Sequence, residues 1–223
     1  MADTPERLSS VILAGGRSRR MGQDKALMKL PSGQSLLSQT VEVAGAIAPH
    51  ISIVTPWPER YQGALAQPLP QRIALPVQPA IQWPAIQWIE DIQAAGPLTG
   101  FAQAWPQIQS DWCLLLACDL PNLDAQILQQ WWRWLSSEIN PARAASTSRL
   151  QASLIKGEKG WEPLCGYYHR SCLSSLNQHL DSGALDFQSW LPTLKIATYA
   201  AVPEGMLFNC NRPLDWTQLQ ADE

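Results

Sequence analysis

Eleven residues near the start of the chain gather the groups that phosphate chemistry needs: Gly15-Gly16-Arg17-Ser18-Arg19-Arg20-Met21-Gly22-Gln23-Asp24-Lys25. Glycines let backbone N–H groups approach a phosphate chain closely, and the cations offset its charge. A second candidate is Cys118-Asp119-Leu120-Pro121, where a single carboxylate follows a wholly apolar run. Mg²⁺ prefers one or two carboxylates plus waters and substrate phosphates, so Asp119 suits it. Together the two point to a nucleoside triphosphate bound with a divalent cation. Each also has a plainer reading, the loop as a basic surface turn and Asp119 as a helix cap or an Asp-x-Pro turn.

Two familiar phosphate loops are excluded. The P-loop needs G-x-x-x-x-G-K-[ST], but Gln23 follows Gly22 and Ala26 follows Lys25. The dinucleotide fingerprint needs G-x-G-x-x-G, which Gly15-Gly16-Arg17 does not supply. Later in the chain, Gly96-Pro97-Leu98-Thr99-Gly100 reads by composition as a helix-entry turn. Asn209 and Asn211 would lie on one side of an extended segment, although Asn211 also suits the cap of a following helix.

These residues must be held by elements, and the pattern alternates strand with helix. Residues 9–13 read as a buried parallel strand, 35–48 as a helix, 51–55 as a strand and 86–89 as a third. A helix is expected over 98–108, a strand over 112–117, and a helix beyond Asp124 carrying Ile127, Leu128, Trp131, Trp132 and Leu135. The Pro- and Gln-rich span 61–84 reads as an irregular excursion; within it Ala-Ile-Gln-Trp occurs twice, at 80–83 and 85–88, as a local duplication. One or two strands are expected in 142–155, a charged turn at 156–160, helices at 170–180 and 187–191, and a last helix after Pro213. The stretch 162–168 reads as a structural strand. This order predicts an α/β fold: a mostly parallel twisted sheet with helices on both faces. Residues 1–223 are read as one domain, with a nucleotide-binding half at about 8–135 and an acceptor-binding half at about 140–223.

Composition narrows the classes. A net charge of −3 gives no overall field for nucleic acid, so the cations act locally. Five cysteines without a C-x-x-C pair argue against a disulfide framework and for a reducing compartment. The polar start lacks the apolar core of a signal peptide, and no stretch is apolar for the ~20 residues a membrane helix needs. A cytoplasmic protein without membrane or nucleic-acid partners is therefore expected. Several of the eleven tryptophans are read as packing partner or loop surfaces, with core filling as the alternative.

Residues 13–25 resemble the nucleotidyltransferase signature L-x-G-G-x-[ST]-x-R-M-G-x-D-K, and most of all that of molybdenum cofactor guanylyltransferases of the MobA type. The related cytidylyltransferase usually shows Ala in place of the first Gly and lacks the Gly-Pro-Leu-Thr-Gly motif. The resemblance implies that Leu13, Ala14, Gly15, Gly16, Gly22 and Lys25 bind the nucleotide, and that Lys25, Arg20 and Asp119 are catalytic. By the same resemblance Asp119 carries the metal, Gly96 opens the family's G-P-L-A-G, and Asp91 meets the base or sugar. Asn209 and Asn211 fall in a stretch like the family's N-x-N-T-P, with Arg212 in place of Thr, and would ligate metal or orient the pterin phosphate. The implied fold is Rossmann-like and of nucleotidyltransferase type, and the implied reaction moves GMP from Mg·GTP to a molybdenum–pterin phosphate and releases pyrophosphate. The implied partners are GTP, the molybdenum–pterin cofactor, and molybdoenzyme chaperones or other cofactor-synthesis proteins. The alternatives are a transferase using CTP or UTP, and a non-catalytic nucleotide-binding protein.

Overall fold

A computed structural model describes residues 8–16, 24–65, 85–139, 150–158, 160–210 and 215–216. The six-residue run Trp112–Ala117 carries no charge and is buried throughout; it forms β4 beside the equally buried β1 (Leu8–Leu13). Two further parallel strands, β2 (His50–Thr55) and β3 (Ala85–Glu90), extend the sheet beyond β1. Beyond β4 the pairing turns antiparallel through β6 (Gly160–His169) and β5 (Ala152–Gly157), and the short β7 (Ile196–Thr198) runs parallel to β5. The sheet order is β3-β2-β1-β4-β6-β5-β7. The order reverses between β1 and β4, the switch point at which open α/β sheets bind ligands beyond their carboxyl ends.

Successive strand residues face opposite sides, so each central strand feeds two cores. Ile12, Leu114 and Leu116 pack with α1 (Leu36–Gly45) and α4 (Ala125–Glu138) on one face. Val11, Cys113 and Leu115 pack with α3 (Pro97–Ala104), α5 (Leu173–Asp181) and α6 (Phe187–Trp190) on the other. Ser35 and Asp124 cap α1 and α4 by accepting backbone N–H bonds in the first turn. The fold is thus the α/β sheet with helices on both faces that the sequence implies. No helix among the described residues is long and apolar enough to cross a membrane.

Several expectations need correction. The excursion at 61–84 begins as helix, because α2 (Pro58–Leu65) continues to residue 65; residues 66–84 lie outside the described set. Its anchor is one tyrosine, Tyr61, buried beneath an otherwise polar surface, and Pro58 suits the first helical turn. The helix expected to 108 tightens at Trp105–Gln107 into a 3-10 turn, since Pro106 cannot donate the α-helical bond. The charged turn is narrower than 156–160: Gly157 pairs with Gly160, so Lys156 and Gly157 belong to β5. Of the strands expected in 142–155, residues 142–149 lie outside the described set. The helix after Pro213 is described only at residues 215–216. Four tryptophans, Trp105, Trp112, Trp131 and Trp190, fill the core, while half-buried Trp57 lies on the loop after β2. Trp131 shows why a core accepts indole, since its N–H donates to Ser153 Oγ at 2.8 Å.

Candidate active site

The loops leaving the carboxyl ends of β1, β2, β3 and β4 surround one cleft of about 570 Å³. Leu13, Ala14, Gly15, Gly16, Lys25, Gly96 and Asp119 all line it. Register explains the meeting of loop and carboxylate: Leu13 pairs with Ala117, and the Cys118 N–H donates to Leu13 O at 3.3 Å. Gly15 is held where backbone must pass closely, because a Cβ there would stand 3.2 Å from Pro56 Cδ. Arg20, Gly22 and Asn211 lie outside the described residues.

Lys25 opens a 3-10 turn, Lys25–Leu27, capped by Asp24, whose Oδ1 accepts the Ala26 N–H at 3.1 Å. From that turn Lys25 Nζ reaches within 3.6 Å of Asp119 Oδ2. Burial pushes the Asp119 carboxyl above its ordinary range, while Lys25 foremost, with Asn209 beside it, pulls it back down. The segment bearing Asn209 is tied to Asp119 by the Cys210 N–H, which donates to Asp119 O at 3.2 Å. Asp119 Oδ1 and Asn209 Oδ1 are both buried without a hydrogen-bond partner among the described residues. Oxygens left this way are costly unless something binds them. Two hard donors, one anionic, fit a hard divalent cation that completes its shell with water and phosphate.

Gly96 sits at φ +126° and ψ 175°, a backbone region that essentially only glycine enters. It begins α3, and Pro97 follows at the first turn. A Cβ would meet nothing nearer than Leu185 O at 4.0 Å, so substitution strains the backbone rather than crowding it. Gly96→Ala is expected to lose about 1–3 kcal/mol of stability, read as a lowered midpoint in urea unfolding; an unchanged midpoint would refute the requirement.

Asp91 is placed differently from the residues above. Its Oδ1 accepts the Ala94 N–H at 3.0 Å and the Gln103 side-chain amide at 2.7 Å, which supports a turn where Ala94 adopts φ 45°. Its Oδ2 stands 3.8 Å from where a Gly15 Cβ would be. Asp91 therefore ties the turn through Oδ1 and presents Oδ2 towards Gly15 at the edge of the cleft.

Asp24, Trp57 and Tyr61 are among the cleft-lining residues to which the sequence assigned no site role, and Leu164 lines it too. Asp24 had a local signal, the acid preceding the motif lysine, and Leu164 lies in the strand singled out at 162–168. Trp57 and Tyr61 had none, since their placement depends on α2 folding back towards Asp24.

Comparison with known proteins agrees with this geometry. A protein of Trichormus variabilis named probable molybdenum cofactor guanylyltransferase is 40% identical over 215 residues, covering 96% of this chain and 91% of its own. A Synechococcus elongatus protein of the same name is also 40% identical, covering 95% and 97%. Among solved structures, molybdopterin-guanine dinucleotide biosynthesis protein A from Archaeoglobus fulgidus superposes with a TM-score of 0.69 at 19% identity, covering 95% of this chain and 96% of that one. Residues 10–195 match the MobA-like NTP transferase domain, a span running from β1 through α6. With glycine loop, lysine and half-buried carboxylate meeting at the sheet's switch point, the chain belongs to the MobA-like NTP transferase family and is a nucleotidyltransferase.

Proposed function

We propose that the protein transfers GMP from Mg·GTP to a molybdenum–pterin phosphate, forming a guanine dinucleotide cofactor and pyrophosphate. The observation that carries the reading is the juxtaposition of Lys25 with the half-buried Asp119 in a glycine-lined cleft. The names of the two cyanobacterial relatives support the choice of nucleotide and acceptor. The reading extends to a nucleotide-binding half at about 8–135 and an acceptor-binding half at about 140–223.

In this reaction an oxygen of the acceptor phosphate forms a bond to the α-phosphorus of GTP, and the bond from that phosphorus to the β-phosphate oxygen breaks. The acceptor phosphate is already ionised near neutral pH, so no general base is needed. Backbone N–H groups of the Gly15–Gly16 turn receive the phosphate chain. Lys25, with Arg20, takes up charge as pyrophosphate departs, so catalysis is positioning and electrostatics. Asp119 and Asn209 are the residues that would hold Mg²⁺, which when bound supplies Lewis-acid neutralisation of phosphate charge. All five cysteines are free thiols, which suits a reducing, cytoplasmic setting.

The test is pyrophosphate release from GTP, ATP, CTP and UTP, each with Mg²⁺ and molybdenum–pterin phosphate. GTP is expected to exceed the others by at least about 10²-fold, because discrimination through hydrogen bonds to a base is steep. Release with CTP alone would overturn the base assignment, and binding of GTP without turnover would favour a binding protein.

A further inference from the structure

The carboxylate of Asp24 sits at the centre of a small junction. Its Oδ1 caps the turn that begins at Lys25, and both its oxygens lie within bonding distance of the Tyr61 hydroxyl, at 3.0 and 2.9 Å. Arg60 adds an ion pair at 3.1 Å from the same helix. Tyr61 is 1% exposed, so its hydroxyl is sheltered at the edge of the cleft. Trp57 packs edge-on against its ring at 6.5 Å, fixing its direction. Burial, then the charge of Asp24, keeps the phenol protonated and therefore a donor.

The partners differ in weight. Arg60 is 51% exposed, and an ion pair of that kind contributes little. The Tyr61 bond is sheltered and directed at a carboxylate, the stronger class of hydrogen bond. Asp24 immediately precedes Lys25, so holding its carboxylate holds the backbone from which the lysine springs. From the reading of Lys25 given above, we infer that Tyr61 is a positioning residue: acting through Asp24, it keeps Lys25 aimed at the pyrophosphate end of the nucleotide. Helix α2 is then a strut for the phosphate loop as well as a cover for the sheet edge.

Tyr61→Phe keeps the ring and removes only the hydroxyl, and the decisive experiment is a cycle with Lys25→Ala. Two quantities are read: kcat for pyrophosphate release, and affinity for inorganic pyrophosphate by calorimetry. A misaimed charge costs about 10-fold or more in rate, so Tyr61→Phe should lower kcat by about that factor in the parent protein. In the Lys25→Ala background it should cost almost nothing, because the group it positions is gone. Weakened pyrophosphate binding should follow the same pattern. Equal losses in both backgrounds, or none in the parent, would overturn the inference and leave Tyr61 a packing residue. The calorimetric arm needs no turnover, so a failure of the GTP assignment is seen separately from a failure of the strut. Should Tyr61→Phe melt without cooperativity, Arg60→Gln takes its place in the cycle, with an expected loss of about 2- to 5-fold confined to the Lys25-containing protein.

Discussion

Asp119→Asn is expected to reduce pyrophosphate release by about 10³-fold or more while leaving the metal-free protein at least as stable as its parent. The two halves of this result share one cause. Asp119 lies just beyond the end of the fully buried strand β4, where ionisation is opposed by desolvation and only partly restored by Lys25. Its carboxyl is thus raised relative to an unfolded chain, so in the ordinary carboxylate range the folded state holds a proton that the unfolded state has released. Stability then declines as pH rises from the ordinary value through the raised one. An asparagine removes that decline, so the difference in melting temperature between parent and variant should widen over the same interval. Sites that bind ligands carry such costs, and removing them often stabilises the fold at the expense of activity. Near-normal turnover by Asp119→Asn would remove Asp119 from the reaction.

What local pattern could reveal is clearest at β4 and α4. A six-residue apolar run ending in Cys118-Asp119-Leu120-Pro121 can be little other than a buried strand with a polar group at its mouth, and Trp112–Ala117 is that strand. An Asp followed by helical spacing at Ile127, Leu128, Trp131 and Leu135 likewise yields α4 with Asp124 as its cap. The signal fails where an element is fixed by distant contact. Helix α2 is polar by composition, and its one buried side chain finds its partner at Asp24, 37 residues earlier. Asp91 has a second task that its sequence did not announce. Its chemistry suits a base edge, and Oδ1 also ties down the turn through Ala94 and Gln103, contacts that depend on how the chain after β3 closes. Short β7 escaped notice because a three-residue edge strand carries almost no periodicity.

Lys25→Ala is expected to lower kcat by about 10²–10³-fold, the loss typical when one preorganised donor to developing charge is removed. Rate alone would not separate the lysine's two tasks, since it also restrains the Asp119 carboxyl from 3.6 Å away. The pH profile separates them. With the cation gone, desolvation acts on Asp119 unopposed by its largest counterweight, and the carboxyl rises further. At subsaturating Mg²⁺, where the proton competes with the metal for this carboxyl, residual activity should therefore climb with pH over a range in which the parent enzyme is already flat. Lys25→Arg restores a positive charge near Asp119, so its profile should return towards that of the parent. Its kcat should nevertheless stay well below the parent value, because a planar guanidinium does not replace a compact ammonium aimed at a leaving phosphate. A profile of unchanged shape in Lys25→Ala would mean that Asp119 does not rely on Lys25 for its ionisation. Full activity in Lys25→Arg would mean that charge alone is required there, and that the capped turn Lys25–Leu27 does not serve to aim it.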